Sequence, residues 1–297
     1  MSVGPIQYFW EREQVLNFYK QAADSAAEII YLGEVICSKR RLIKPDDWLE
    51  IATGLKHSGK EVILSSLTLL EAASELGALK KLCSNDSFMV EANDVAAIQM
   101  LSKAGKGFVT GPNINIYNHR SLRLLAQKGL KRWVLPVELG LEPLKDLQAQ
   151  RPAGVETEVF ALGRLPLAYS ARCYTARSHN LPKDDCQFKC LDYPEGRMLK
   201  TQEDQDFLVL NGIQTQSALI HQAFEQLDEL EELDVDVLRI SPQFENTLRI
   251  IDIFDAALKG ADPGPLNEEM LSLLPAGACN GYLLDQPGMD YDAEQVA

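Results

Sequence analysis

Positive charge is scarce in this sequence. Lys and Arg number 29 against 43 Asp and Glu, which leaves a formal charge of −14. A surface that negative repels phosphate backbones and anionic lipid, so nucleic-acid or membrane-surface binding is disfavoured as a main activity. Long apolar runs are missing: none approaches the ~18 residues of a membrane-spanning helix. No G-x-G-x-x-G and no G-x-x-x-x-G-K-[ST] occurs, which removes the usual nucleotide-binding forms of an open α/β sheet. G-x-S-x-G and H-E-x-x-H are absent too, and with them the commonest hydrolase signatures. The opening MSVGPIQYFWEREQ carries no basic region, apolar stretch or cleavage site of a secretory signal. The cytoplasm is therefore the expected compartment.

What is present is an ordinary globular composition, 46% hydrophobic and 24% charged over 297 residues. A chain of that length buries roughly three quarters of its unfolded surface and needs no disulfide or metal to form a core. Short β-branched or aromatic runs alternate with helical patterns. Strands are expected at Gln7 to Trp10, Ile29 to Cys37, Glu61 to Ser66, SFMVEAND, GFVTGPNINIYN, RWVLPVEL, VETEVFAL and Val235 to Ser241. Between them lie amphipathic segments. In the first, Val15, Leu16, Tyr19, Ala22, Ala23 and Ala26 share one helical face. Pro45 and Asp46 open the second. Eight strands alternating with helices predict an α/β fold, a (β/α)₈ TIM-like parallel barrel, with a doubly wound open sheet as the alternative. The rhythm breaks at about residues 164–215 and resumes with a helix around Leu219 to Leu233. The expectation is one barrel domain over residues 1–297, with a cysteine-containing insertion after strand seven and a C-terminal extension at about 261–297.

Cys173, Cys186 and Cys190 fall in that insertion. The C-Q-F-K-C spacing would put Cys186 and Cys190 on one face of a helix. Cys37 ends the second strand, and a barrel gathers the C-terminal ends of all its strands on one rim, within reach of the insertion. Four thiolates meeting there suit a [4Fe–4S] cluster or a structural zinc. Spacing does not decide between them, although zinc favours paired short knuckles and only one short pair exists. The radical-type C-x₃-C-x₂-C triplet is absent. Cys83 and Cys279 have no close partners and read as core residues. Lys39, Arg40 and Arg41 follow Cys37, while Arg172 and Arg177 flank Cys173. Such cations either form solvated loops, offset the negative charge of a thiolate-bound centre or attract an anionic substrate. Further polar residues fall at strand ends: Glu34, Ser65, Glu91, Asn93, Asn113, Asn115, Glu138, Glu158, Arg239 and Ser241. Each serves scaffold or site. Of the histidines, His57 and His221 read as exposed helix residues, His119 is isolated, and His179 lies between the clustered cysteines.

The stretch EVFALGRLPLAYSARC resembles the signature of the collagenase-like peptidase family at Glu158, Phe160, Gly163, Tyr169, Ser170 and Cys173. Leu162, Pro166 and Ala171 depart from it where the family has His, Cys and Gly. Together YLGEVICSKRR, ARCYTARSHNLPKDDCQFKC, FLVLNGIQT and CNGY resemble the branch of that family serving oxygen-independent ubiquinone biosynthesis. That resemblance runs from GPIQYFW to CNGY. It implies a [4Fe–4S] cluster on Cys37, Cys173, Cys186 and Cys190. It also implies a heterodimer with a UbiU-like paralogue, assistance from a UbiT-like lipid-carrier protein, and hydroxylation of a prenylated aromatic ring without O₂. No catalytic residue is named by it. Three other readings stand beside it. One is a relative that hydroxylates RNA bases, against which the acidic charge speaks. Another is a peptidase, for which no nucleophile–base pair is evident. The third is a partner whose cluster is structural or only transfers electrons.

Overall fold

The computed structural model describes residues 1–292. Eight strands form the barrel, seven of them before residue 164. They are β1 (Ser2–Val3), β2 (Ile29–Leu32), β3 (Glu61–Ser65), β4 (Met89–Ala92), β5 (Phe108–Thr110), β6 (Leu130–Val134) and β7 (Glu156–Gly163). After β7 come β8 (Pro166–Tyr169), β9 (Arg197–Lys200), β10 (Asp206–Asn211), β11 (Gln214–Ser217) and β12 (Ile220–Gln222). The eighth barrel strand, β13 (Val237–Ile240), pairs with both β1 and β7, so the parallel sheet closes on itself. The alternation of runs thus yields a closed, all-parallel (β/α)₈ barrel. A last short strand, β14 (Ala278–Cys279), pairs with β12, which in turn lies antiparallel to the end of β7.

Period-two alternation sorts the strand side chains. Ile29, Tyr31, Ile63, Val109 and Val237 pack together inside the barrel, whereas Ile30, Leu32, Val62, Leu64 and Phe108 belong to the outer core beneath the helices. The intervening helices are α1 (Arg12–Ala22), α2 (Pro45–His57), α3 (Ala73–Cys83), α4 (Val95–Lys103), α5 (His119–Ala126) and α6 (Leu141–Gln148). Helix α1 buries Val15, Tyr19 and Ala22 at i, i+4 and i+7. Pro45 occupies the first turn of α2, where its missing N–H costs nothing. Asp94 caps α4 at Ala96 N (2.7 Å), and Asn118 caps α5 at Ser121 N (3.0 Å). Later come α7 (Tyr174–Ser178), α8 (Leu227–Glu232), α9 (Thr247–Leu258) and α10 (Pro263–Leu273). The C-terminal segment packs α10 on α9 and sends Leu283 into the core; residues 293–297 of the expected extension lie outside the described residues.

Two elements differ from the sequence expectation. The first strand is Ser2–Val3, not Gln7 to Trp10. It is set by its neighbours, Ser2 opposite Ile29 on one side and Arg239 on the other. Gln7 to Trp10 form the loop from β1 to α1 and are buried by the insertion above them. The helix expected from Leu219 begins only at Leu227; Ile220–Gln222 is strand β12, which extends the sheet beside β7.

Candidate functional site

The insertion folds as a four-stranded antiparallel sheet, in the order β8-β11-β10-β9. It begins at the C-terminal end of β7, so it stands on the barrel rim that also receives the β1 and β2 loops. Cys37, half-buried, and Cys173 pack against a small apolar cluster of Val35, Ile36 and Ile213, joined by Leu69 and Tyr169. Cys173 caps α7, its Sγ accepting from Ala176 N at 3.4 Å. Burial pushes the Cys37 thiol up; Arg40 opposes this, while negative charge on Glu34 or Cys173 reinforces it. Burial likewise raises Cys190, again against Arg40, with Cys173 and Cys37 adding to the rise. These three thiols, far apart in sequence, therefore lie within one another's electrostatic reach. Cys186 connects through Lys39, whose ammonium feels both Cys186 and Cys37. Cys186 and Cys190 do not share a helix face, because Gln187 and Phe188 between them take left-handed φ values of 49° and 51°. All six cysteines are free thiols. Among the described residues, no three His, Cys, Asp or Glu side chains form a ready-made metal-holding group.

The three cations after Cys37 part company. Arg40 is 5% exposed and points inward, donating to Gln7 O and Asn211 Oδ1 at 2.7 Å each. It lies over the Phe9 ring, 5.6 Å from the centroid, and its Nε has no hydrogen-bond partner. Gly212, at φ +62°, makes room for it: a Cβ there would stand 2.9 Å from Arg40 Nη2. Lys39 instead binds Lys183 O (2.8 Å) and Asp184 (3.0 Å), and Arg41 binds Ser38 O at the surface. Arg172 and Arg177 are exposed. Glu34 accepts the N–H groups of Ile36 and Cys37 at 2.9 Å each and so shapes the Cys37 turn. His179 meets Tyr193 OH at 3.1 Å and not a thiol. Cys83 and Cys279 sit in the core, their thiols pushed up by burial to about 11 and about 12.

The strand-end polar residues divide as well. Arg239, inside the barrel, donates to Glu91 Oε1 (2.7 Å) and Glu158 Oε1 (2.9 Å) and lies 4.1 Å over the Tyr31 ring. Glu158 also accepts Ser2 Oγ and Tyr31 OH at 2.5 Å each. Below, Arg132 closes the barrel with Glu61 and Glu156. Ser65 Oγ and Asn93 Oδ1 are buried without partners, and Ser241 is buried nearby in sequence to β13. Asn113 reaches Thr68 Oγ1 (3.4 Å), Glu138 accepts Tyr117 OH, and Asn115 is exposed.

Sequence reading missed a layer of buried amides and tyrosines between rim and insertion. Gln214 Nε2 donates to Gln7 Oε1 and to Tyr169 OH, 2.7 Å each, and Asn211 Nδ2 donates to Gln7 O at 2.8 Å. Arg164, 4% exposed, holds the carbonyls of Ser217 and Ala218. One signal was available: Gln214 and Gln216 alternate along β11, and two glutamines on one face of a short strand point to a polar interior contact. His221 is also corrected: it is buried on β12, bonded to Phe160 O at 3.0 Å, and burial lowers its pKa to about 4.

A closed parallel barrel with a cysteine-bearing antiparallel insertion after its seventh strand defines the architecture. The chain belongs to peptidase family U32, whose family model matches residues 12–291. Among solved structures it is similar to the U32 peptidase Mk0906, at 10% identity and a TM-score of 0.44, over 82% of this chain and 92% of that one. It is also similar to a putative fructose-1,6-biphosphate aldolase from Coccidioides immitis, at 11% identity and a TM-score of 0.38, over 91% of this chain and 83% of the other. Among the described residues, no helix is long and apolar enough to cross a membrane.

Proposed function

We propose that this chain is a UbiV-like iron–sulfur subunit of an O₂-independent hydroxylase that acts on the aromatic ring of ubiquinone precursors, paired with a UbiU-like paralogue. One observation carries the reading. Cys37, Cys173 and Cys190 become electrostatic neighbours of one another, Cys37 and Cys190 beside the buried Arg40 and Cys186 beside Lys39. Four thiols are a soft donor set suited to iron–sulfur ligation. A thiolate-bound cluster is net negative, and a buried guanidinium with an unpartnered Nε is a fitting neighbour for it. Cys37, Cys173, Cys186 and Cys190 would hold the cluster, which supplies one-electron transfer when bound. Arg40 offsets negative charge at Cys37 and Cys190, and Glu34 fixes the backbone that presents Cys37.

The peptidase alternative finds less support: His179 bonds Tyr193, and His221 is buried against Phe160 O. The test is anaerobic purification followed by iron and zinc analysis and a visible spectrum. Brown protein with close to four irons per chain supports the reading, and colourless protein with stoichiometric zinc refutes it. Cys186→Ala or Cys190→Ala should lose the iron, whereas Cys83→Ala should keep it. For the partner, co-expression with a cysteine-bearing paralogue should give a 1:1 species on size exclusion.

A further inference from the structure

The insertion leaves the barrel after β7 and returns into β12, which lies beside the end of β7. Its two chain crossings run side by side as one ribbon. Ser217 N donates to Leu165 O at 3.0 Å, and Arg164 holds the Ser217 and Ala218 carbonyls. From that ribbon the insertion reaches across the barrel mouth. Gln214 and Asn211 meet Gln7 in the β1 loop. Tyr169 lies beside Thr68 after β3 and Asn113 after β5, and Lys183 pairs with Glu71. Groups at the C-terminal strand ends are covered as a result: Ser65 and Asn93 are each 4% exposed. Ser65 Oγ, Asn93 Oδ1 and Arg239 Nη2 find no protein partner there. The seam above them is built from amides, with one apolar cluster of Val35, Ile36 and Ile213 beside Cys37.

We propose that the insertion is a lid over the barrel mouth, hinged at the ribbon of residues 163–165 and 217–219 and pinned shut through Cys37. A polar seam favours relative motion, because water replaces its hydrogen bonds at little net cost when the two sides part. An apolar seam would resist the same movement. Lifting the lid also gives the buried Ser65, Asn93 and Arg239 groups access to water or to a ligand. The cysteines divide across this seam. Cys37 belongs to the barrel, on the loop after β2, whereas Cys173, Cys186 and Cys190 belong to the insertion. A metal centre held by all four joins the two sides. Metal loading then sets how often the mouth opens, which couples access to its polar groups to the state of the cysteine site. The pin rests on the proposed function; the lid does not.

The test is thiol labelling of the full chain carrying Ser65→Cys, which sets a thiol of similar size beneath the lid. Protein made metal-free by chelation under anaerobic conditions is treated with sub-stoichiometric N-ethylmaleimide, and each cysteine is followed by peptide mass spectrometry. Cys279, 0% exposed, is the internal reporter of global unfolding. The introduced thiol should react at least about tenfold faster than Cys279, because opening a lid costs less than unfolding the chain. Gln7→Ala removes the bonds from Gln214 (2.7 Å) and Gln216 (3.4 Å) and should raise that rate about fivefold or more relative to Cys279. Loading with iron or with zinc should slow it at least about tenfold. Hydrogen exchange of the wild type makes the comparison without a substitution at position 65. The Asn93 amide, bonded to Ser66 Oγ at 3.0 Å beneath the lid, should exchange more slowly in loaded than in metal-free protein. A rate equal to that of Cys279, or one indifferent to Gln7→Ala, overturns the lid. Labelling and exchange indifferent to metal overturn the pin. Metal analysis of the same preparations separates the two ideas. Iron-loaded protein that labels no more slowly refutes only the pin, and slowing by stoichiometric zinc in protein that never takes up iron refutes only the iron–sulfur reading.

Discussion

Replacing Arg239 with Met should turn the barrel interior from a stabilised ionic network into a buried, unbalanced one. Arg239 is 2% exposed and is the cation shared by Glu91 and Glu158, which are 1% and 0% exposed. Burial alone would push the Glu158 carboxyl up, but Arg239, then Arg132 and Ser2, outweigh it and hold it below the ordinary value. Met fills much of the arginine stem but supplies no charge. Breaking a buried pair from one side costs about 3–5 kcal/mol. That is a large share of the ~5–15 kcal/mol that keeps a typical domain folded.

The Glu158 contribution to the pH dependence should change sign. In the wild type, a depressed Glu158 contributes stability that is complete above its unfolded value of 4.5 and is lost as pH falls through the lower folded value. Without Arg239, burial prevails and the folded value rises above the unfolded one. Relative to the wild type, stability should then increase as pH falls from 7.5 towards 5, on top of the His221 titration that both proteins share. Adding Glu158→Gln should recover part of the loss, with a coupling of about 1–3 kcal/mol between the two positions. Urea titrations at pH 5.0 and 7.5, followed by circular dichroism, measure all of this. A loss under about 1 kcal/mol, or a wild-type pH slope in Arg239→Met, would refute the reasoning and reassign these residues from scaffold to site.

Three further outcomes follow from single contacts. His221, with its pKa lowered to about 4, must be neutral in the folded state; stability is complete above pH 6.5 and should fall by about 2 kcal/mol between pH 6.5 and 5, a loss that His221→Gln removes in the same urea assay. Arg40→Gln should cost about 2–3 kcal/mol by weakening two buried charge-assisted bonds, whereas Arg41→Gln should stay within about 0.5 kcal/mol; in iron-loaded protein only the first should lower the midpoint potential measured by electron paramagnetic resonance titration. Gly33→Ala should cost at least about 2 kcal/mol in thermal or urea unfolding, since φ is +134° and the new Cβ would lie 2.6 Å from the Ser65 carbonyl oxygen.

Barrel strands buried on both faces write themselves as apolar runs, so IIYL, EVILS and ETEVFALG are legible without any partner. Ser2–Val3 is not, because two residues carry no period and gain strand geometry only from Ile29 and Arg239 alongside. Gln7 to Trp10 mislead for the converse reason: their apolar surface is covered by the insertion, a tertiary contact that mimics a strand in composition. His221 reads as helical because a three-residue strand, Ile220–Gln222, merges with the neighbouring helical period.

The charge run after Cys37 shows where sequence reading stops. Three adjacent cations look alike, and a run of this kind is usually solvated. Which one turns inward is decided far away, by Gln7 in the first loop and Asn211 at the end of β10, and by a glycine at position 212 that leaves space for the guanidinium. The cysteines obey the same logic. The barrel topology accounts for Cys37 meeting the insertion, since strand ends share a rim whatever lies between them in sequence. The i, i+4 spacing of Cys186 and Cys190 does not, because the left-handed turn at Gln187 and Phe188 aims each thiol separately. Convergence was readable from topology; orientation required the loop.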